Sequence, residues 1–157
     1  MADQPAPAES AAGLSFQMGE ALLRNGAEIF RVQETMERVA HAYGIEEYNV
    51  YVLSNAIFAN AVENGRRVET KLKFIPGSSI HFGRIAGINQ LSREIEGGSV
   101  SIPEACERLH AIVDIPYTHP AALVLACGVG SACFSYLFGR SLFDALVGLV
   151  CGFVVQV

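Results

Sequence analysis

The spacing of apolar residues changes three times along the chain, and each change predicts a different kind of element. Leu22, Ile29, Val32, Met36, Val39 and Tyr43 are separated by 7, 3, 4, 3 and 4 residues. This is an apolar stripe at helical spacing and predicts one long helix from about residue 11 to 43. Another side carries Glu20, Arg24, Glu28 and Arg31, mostly four apart and alternating in sign, so successive charges can pair along the surface. Asn25-Gly26 interrupts the pattern. Either the helix ends and restarts there, or the glycine permits a close helix crossing. The stripe keeps its phase across Gly26, which favours the crossing. Gly44 then ends the helix as a C-cap.

From Tyr48 the period shortens. Val68, Thr70, Leu72 and Phe74 alternate with Glu69, Lys71 and Lys73, which is strand spacing with one wet face. Asn64-Gly65 sits between two such runs, the strongest short hairpin signal. Three antiparallel strands are expected, near 47–54, 56–63 and 67–75, with Pro76-Gly77 closing the sheet. Two amphipathic helices follow, about 84–96 and 102–113. Ser101 stands at the N-cap of the second, with Pro103 in its first turn and Glu104 at the capping-box position.

After Asp114 the pattern becomes continuously apolar, and only Arg140 and Asp144 are formally charged. Ala121 to Gly139 reads AALVLACGVGSACFSYLFG, and about 20 apolar residues suffice to cross the hydrocarbon layer. Tyr117, His119 and Tyr136 flank it as interfacial residues do, and Pro120 suits a first helical turn. The run after Arg140-Ser141 has 13 uncharged residues beyond Asp144, too few for a span, so the second membrane helix reads as incomplete. The expectation is an α+β soluble domain (long helix, three-stranded antiparallel sheet, two further helices) followed by a truncated α-helical transmembrane hairpin. Residues 1–12 form a flexible lead, 13–114 the soluble domain, and 117–157 the start of the membrane domain, with helices about 118–139 and 142–157. A helical hairpin buried in a large soluble core is the rival reading. Against it stand the absent charges and small residues four apart: Ala122, Ala126 and Gly130, then Gly148 and Gly152. Such spacing lets helix backbones approach closely in lipid. Gly26, Ala126, Gly130, Gly148 and Gly152 are therefore the candidate packing positions.

Composition adds exclusions. A formal net charge of −5 argues against nucleic acid, which requires a basic face. The N-terminus has neither a basic start nor an apolar core, so it is not a secretory signal. Cys106, Cys127, Cys133 and Cys151 make no C-x-x-C pair and read as small buried residues in a reducing setting. The absent signal and the cysteines read as reduced predict a cytoplasmic soluble domain, and the expectation is a chain integral to the inner (plasma) membrane.

No catalytic constellation emerges. Gly128 to Ala132, GVGSA, fits neither a nucleophile elbow nor a dinucleotide loop. His41, His81, His110 and His119 share no metal-ligand spacing, and no cofactor is expected. Glu20, Arg24, Glu28, Arg31 and Glu34 read either as a solvated helix face or as a gate or vestibule wall beside a transport path. Asp144 heads an apolar helix. A carboxylate at membrane depth is costly enough to suggest function, while a carboxylate near a helix N-terminus is also favoured electrostatically.

The order of several short patterns resembles the threonine/serine exporter family. Gly19, Leu22, Leu23, Gly26 and Ala27 match its G-x-x-L-L-x-x-G-A opening, and Glu28, Arg31-Val32 and Glu34 its acid, Arg-Val, acid pattern. Gln33 stands where an acid is common. FGRSLFDA, Phe138 to Ala145, resembles the family's turn into its second membrane helix, with Arg140 where a second glycine is common. The resemblance covers about Gly13 to Val157. It implies ion-coupled secondary export of small polar metabolites, threonine, serine or related amino or organic acids, rather than enzymatic activity. Implied partners are the lipid bilayer, the small polar metabolite, and missing C-terminal helices or a separate small membrane subunit; a homo-oligomer is compatible with it. A membrane-tethered hydrolase and a regulatory or partner-binding module are the alternatives.

Overall fold

A computed structural model describes residues 10–63, 66–75, 77, 79–117 and 119–156. The chain divides into two compact units, with the division between Ile115 and Pro116. The fold is mostly helical with one small antiparallel sheet.

The first unit opens with α1 (Ala11–Arg24) and α2 (Ile29–Ala42), where one long helix is expected from the apolar stripe. The break lies at Asn25-Gly26. Gly26 has φ 77°, its N–H reaches the Leu23 carbonyl at 3.2 Å, and the Ala27 N–H reaches that of Leu22 at 3.1 Å. This pair of bonds terminates a helix through a left-handed residue, a conformation glycine takes without a Cβ penalty. Gly44 ends α2 in the same way, with φ 84° and bonds from Gly44 to His41 and from Ile45 to Ala40. The apolar stripe kept its phase because α1 and α2 fold against each other and bury facing sides. Leu22, Val32, Met36 and Val39 are buried, whereas Ile29, just past the turn, is 43% exposed. The close crossing assigned to Gly26 belongs instead to Gly19. A Cβ there would run into the Met36 side chain, whose Cγ would lie 2.6 Å away.

Strands β1 (Glu47–Leu53), β2 (Ala56–Glu63) and β3 (Arg66–Phe74) form a sheet in the order β1-β2-β3. Both pairings are antiparallel, within a residue or two of the expected bounds. The Asn64-Gly65 turn and Pro76 lie outside the described residues. In the second ladder Ala61 pairs with Val68 but Ala59 with Lys71, so β3 contains one extra residue. A single-residue slip exchanges the two faces of a strand. Beyond it Lys73 lies opposite the fully buried Ile57, and Phe74 is 62% exposed. The simple alternation, with Phe74 inward and Lys73 wet, therefore fails at this end of β3.

Helices α3 (Phe82–Glu96) and α4 (Ile102–Val113) complete the unit. Ile88, Leu91 and Ile95 from α3 and Ala105, Cys106 and Leu109 from α4 join Leu14, Met18, Leu22 and Met36 in one core. Each fully buried aliphatic side chain of this kind contributes about 1.5–3 kcal/mol relative to exposure. Ser101 occupies the α4 N-cap, but its side chain makes no capping bond, so the expected capping box does not form. Glu104 lies instead 3.9 Å from Arg108.

The second unit is the helix pair α5 (Pro120–Gly139) and α6 (Leu142–Gln156). Among the described residues α5 is the one helix long and apolar enough to cross a membrane; α6 is apolar but shorter.

Candidate functional site

The charged residues singled out in the sequence do not form one face. Glu20 and Arg24 end α1, while Glu28, Arg31 and Glu34 belong to the start of α2. Glu20 is buried, and one carboxylate oxygen, Oε1, lies 2.9 Å from Arg24 Nε and 3.0 Å from Lys73 Nζ. Lys73 reaches it because the β3 slip turns this lysine inward. Glu20 thus ties α1 to the edge strand. Stranding a fully buried carboxylate costs about 3–5 kcal/mol, and less here because both cations are partly exposed. Lys73 did not figure among the sequence candidates, since the register that delivers it is not written in the alternation.

The remaining charges pair locally: Arg31 with Glu28 at 3.3 Å and Arg38 with Glu34 at 2.7 Å. Glu28, Arg31 and Glu34 are exposed. Arg38 also approaches Glu96 at 3.6 Å, and Arg108 bonds Glu94 across α4 and α3. Hydrogen bonds from Gln90 and Arg108 hold the Glu94 carboxyl below its ordinary range. Ser15 Oγ donates to the Met36 carbonyl at 2.7 Å and is hydrogen-bonded to Tyr48 Oη at 2.9 Å. With its single proton committed to the carbonyl, Ser15 receives the phenol's proton in the second bond. Burial pushes the Tyr48 phenol up to about 12, and burial also raises that of Tyr43, whose hydroxyl donates to the Val100 carbonyl.

Two open grooves mark the surface of the first unit. One, of about 400 Å³, runs between α2 and the sheet past Gln33, Glu37, Tyr51 and the cross-strand pair Asn49 and Asn60. The other, of about 320 Å³, is lined by Leu22, Ala27, Glu28, Arg31, Phe82 and Ile85. Among the described residues no group of three His, Cys, Asp or Glu side chains could hold a metal ion.

In the second unit the two helices meet along residues spaced four apart. A Cβ on Gly148 would stand 2.8 Å from the Ser131 carbonyl oxygen, and one on Gly152 would stand 2.8 Å from that of Cys127. A Cβ on Gly128 would collide with the Phe153 ring, and one on Gly139 with the Asp144 carboxylate. Cys127, Ser131, Ser135 and Gly139 thus form the α5 side of the seam, opposite Gly152, Gly148 and Asp144. Glycine allows this backbone approach. Ala126 and Gly130 are exposed, and a Cβ on Gly130 would meet nothing within 4 Å; they lie off this seam. Asp144 sits in the first turn of α6, where the helix dipole favours a carboxylate. Arg140, in the turn before it, has φ 56°.

An apolar helical pair joined to a helix-and-sheet unit, with its buried charges committed to ion pairs, defines a structural class. The particular family follows from comparison. A family model described as "Putative threonine/serine exporter" (ThrE) matches residues 14–157. The chain belongs to the threonine/serine exporter family, a family of transporters rather than enzymes. A protein of Mycobacterium tuberculosis (strain ATCC 25618 / H37Rv) named "Probable threonine/serine exporter" is 24% identical over 120 residues, which make up 76% of this chain. The match spans 23% of that relative's length. No solved structure matches the chain.

Proposed function

We propose that this chain is the N-terminal part of a membrane exporter of small polar metabolites, threonine, serine or related amino or organic acids, working by ion-coupled secondary transport. The observation that carries the reading is the family match across residues 14–157, supported by the bilayer length of α5. In this reading α5 and α6 enter the membrane and the first unit faces the cytoplasm. Further helices of the same protein or a separate small membrane subunit complete the path, and copies of the chain can associate. Asp144 is the transport candidate within the apolar unit: Gly139 leaves room for its carboxylate at the α5–α6 seam, where it can meet a substrate ammonium or a coupling proton. Glu28, Arg31 and Glu34 are exposed and can line a cytoplasmic vestibule, while Glu20, paired with Arg24, holds Lys73 of the sheet.

The test is efflux of threonine and serine from preloaded cells carrying the full-length gene, wild type against Asp144→Asn and empty vector. Wild type exports faster than vector, and Asp144→Asn exports less than wild type at equal membrane abundance. Equal efflux from wild type and vector for amino and organic acids alike sinks the exporter reading. Unchanged efflux from Asp144→Asn sinks that residue's role alone. Labelling of an engineered cysteine at Ser99 with an impermeant reagent, in whole cells and in inverted vesicles, reads the orientation.

A further inference from the structure

We infer that the first unit carries a lipid-docking face, built around the Gly26 turn and the start of α3, that rests on the membrane surface. The inference rests on the reading of α5 as a membrane span. Three large apolar side chains stand out into solvent: Phe30 at 62%, Ile80 at 65% and Phe82 at 77% exposure. They come from two segments that the fold brings together. Ser79 and His81 donate their backbone N–H groups to the carbonyls of Arg24 and Asn25. A Cβ on Gly26 would lie 2.9 Å from Ile80 Cγ1. Phe82 lines the same groove as Glu28 and Arg31, and Ile29 and Phe30 follow directly in α2. Exposed apolar groups gathered around one turn mark an interaction surface.

Two observations identify lipid as what covers it. The first is covalent reach. Arg84 Nε and Nη2 donate to the Ile115 carbonyl at 2.9 and 2.6 Å, and its Nη1 reaches Asn25 Oδ1 at 3.4 Å. The last residue of the first unit is therefore fastened beside the Gly26 turn. Five residues lead from Ile115 to Pro120, where the bilayer-length helix begins, and five residues extend at most about 17 Å. A membrane entered by that helix is within reach of this face. The second observation is chemical. Beside the phenylalanine and isoleucine side chains stands a charged pair: Arg31, held to Glu28 at 3.3 Å, places its guanidinium 5.5 Å from the Phe30 ring centroid. Apolar and aromatic groups that enter the acyl boundary, with charged groups left at the water side beside them, are the composition of an interfacial surface.

The chain contains no tryptophan, so single tryptophans report cleanly. Phe82→Trp, Tyr51→Trp and Val129→Trp are placed separately in the full chain. Each is reconstituted into phosphatidylcholine vesicles with a minor share of phosphatidylglycerol, with and without bromine on the acyl chains. Tyr51 is exposed on β1 and Val129 is exposed midway along α5. Docking about 5–10 Å into the headgroup–acyl boundary predicts that brominated lipid removes roughly half of the Phe82→Trp emission. Tyr51→Trp keeps its emission and Val129→Trp is quenched. Unquenched Phe82→Trp beside quenched Val129→Trp overturns the lipid face, and a blue shift without quenching assigns the face to a second copy of the chain instead. Unquenched Val129→Trp overturns the membrane reading on which the inference stands. A Phe30→Trp variant repeats the test should Phe82→Trp fail to fold.

Discussion

The crossing of α1 over α2 at Gly19 can be tested by adding atoms to it one or two at a time. A Cβ at this position would lie 2.6 Å from Met36 Cγ and 3.1 Å from Cε. Met36 is fully buried, so its side chain has no free space to retreat into. Two effects oppose each other in Gly19→Ala. Replacing glycine inside a helix gains about 1 kcal/mol, whereas overpacking a filled core costs about 1–3 kcal/mol. The net expectation is a loss of about 1 kcal/mol. Gly19→Val adds two further methyl groups on a stiff β-branched side chain, and the helix gain shrinks, so the loss rises to about 3 kcal/mol. Cys106 supplies the assay. It is buried in the core of the first unit, and once Cys127, Cys133 and Cys151 are replaced by alanine it is the one remaining thiol. A thiol-reactive fluorogenic dye then reads opening of that core as the temperature rises. At about 4 °C per kcal/mol for a unit of this size, Ala lowers the midpoint by about 4 °C and Val by about 12 °C. Met36→Ala alone costs about 2–5 kcal/mol through the cavity it leaves. Combined with Gly19→Val it costs less than the sum, by about 1–3 kcal/mol, because the valine occupies the vacated space. A Val variant that melts with the wild type, or strictly additive losses, would refute the crossing.

Two further outcomes follow from geometry at other positions. The Tyr48 phenol is raised from 10.0 to about 12 by burial, so its contribution to stability is complete below pH 10 and is lost as the pH climbs to about 12. Two pH units correspond to about 2.7 kcal/mol, and chemical unfolding curves between pH 9 and 12 will show the wild type losing more stability than Tyr48→Phe by up to about that amount. Arg140 holds the left-handed conformation at φ 56°, which costs a side-chain-bearing residue about 1–2 kcal/mol. Arg140→Gly is expected to raise the resistance of the second unit to thermal unfolding in detergent, and a lowered midpoint would show that the side chain's own contacts outweigh the backbone strain.

The sheet and the four later helices were legible within two residues because each rests on a local signal, a period or a turn residue. The larger misses arise where a local pattern does not report how two elements pair. Asn25-Gly26 carries the same terminating chemistry as Tyr43-Gly44, yet the unbroken apolar phase argued for continuity. Two helices that fold onto each other both bury a stripe, and the stripe cannot report whether one helix or two made it. In β3 the side-chain alternation runs on unbroken through the sequence while the pairing with β2 slips by one, so Lys73 came to be read as wet and Glu20 as part of an exposed face. The family resemblance was legible throughout, because it depends on the order of patterns and not on where they meet.

The apolar unit shows the same limit in its sharpest form. Small residues occur so densely along α5 that three different sets lie four apart, beginning at Ala122, Cys127 and Gly128, and nothing within α5 ranks them. The ranking comes from α6, where Gly148 and Gly152 can bring their backbone against another helix and their bulkier neighbours cannot. Antiparallel pairing then sets Gly152 near Cys127 and Ser131, Gly148 near Ser131 and Ser135, and Asp144 against Gly139. The carboxylate that stands out in the sequence therefore owes its place to the two glycines that follow it on α6, and its room to a third on the facing helix.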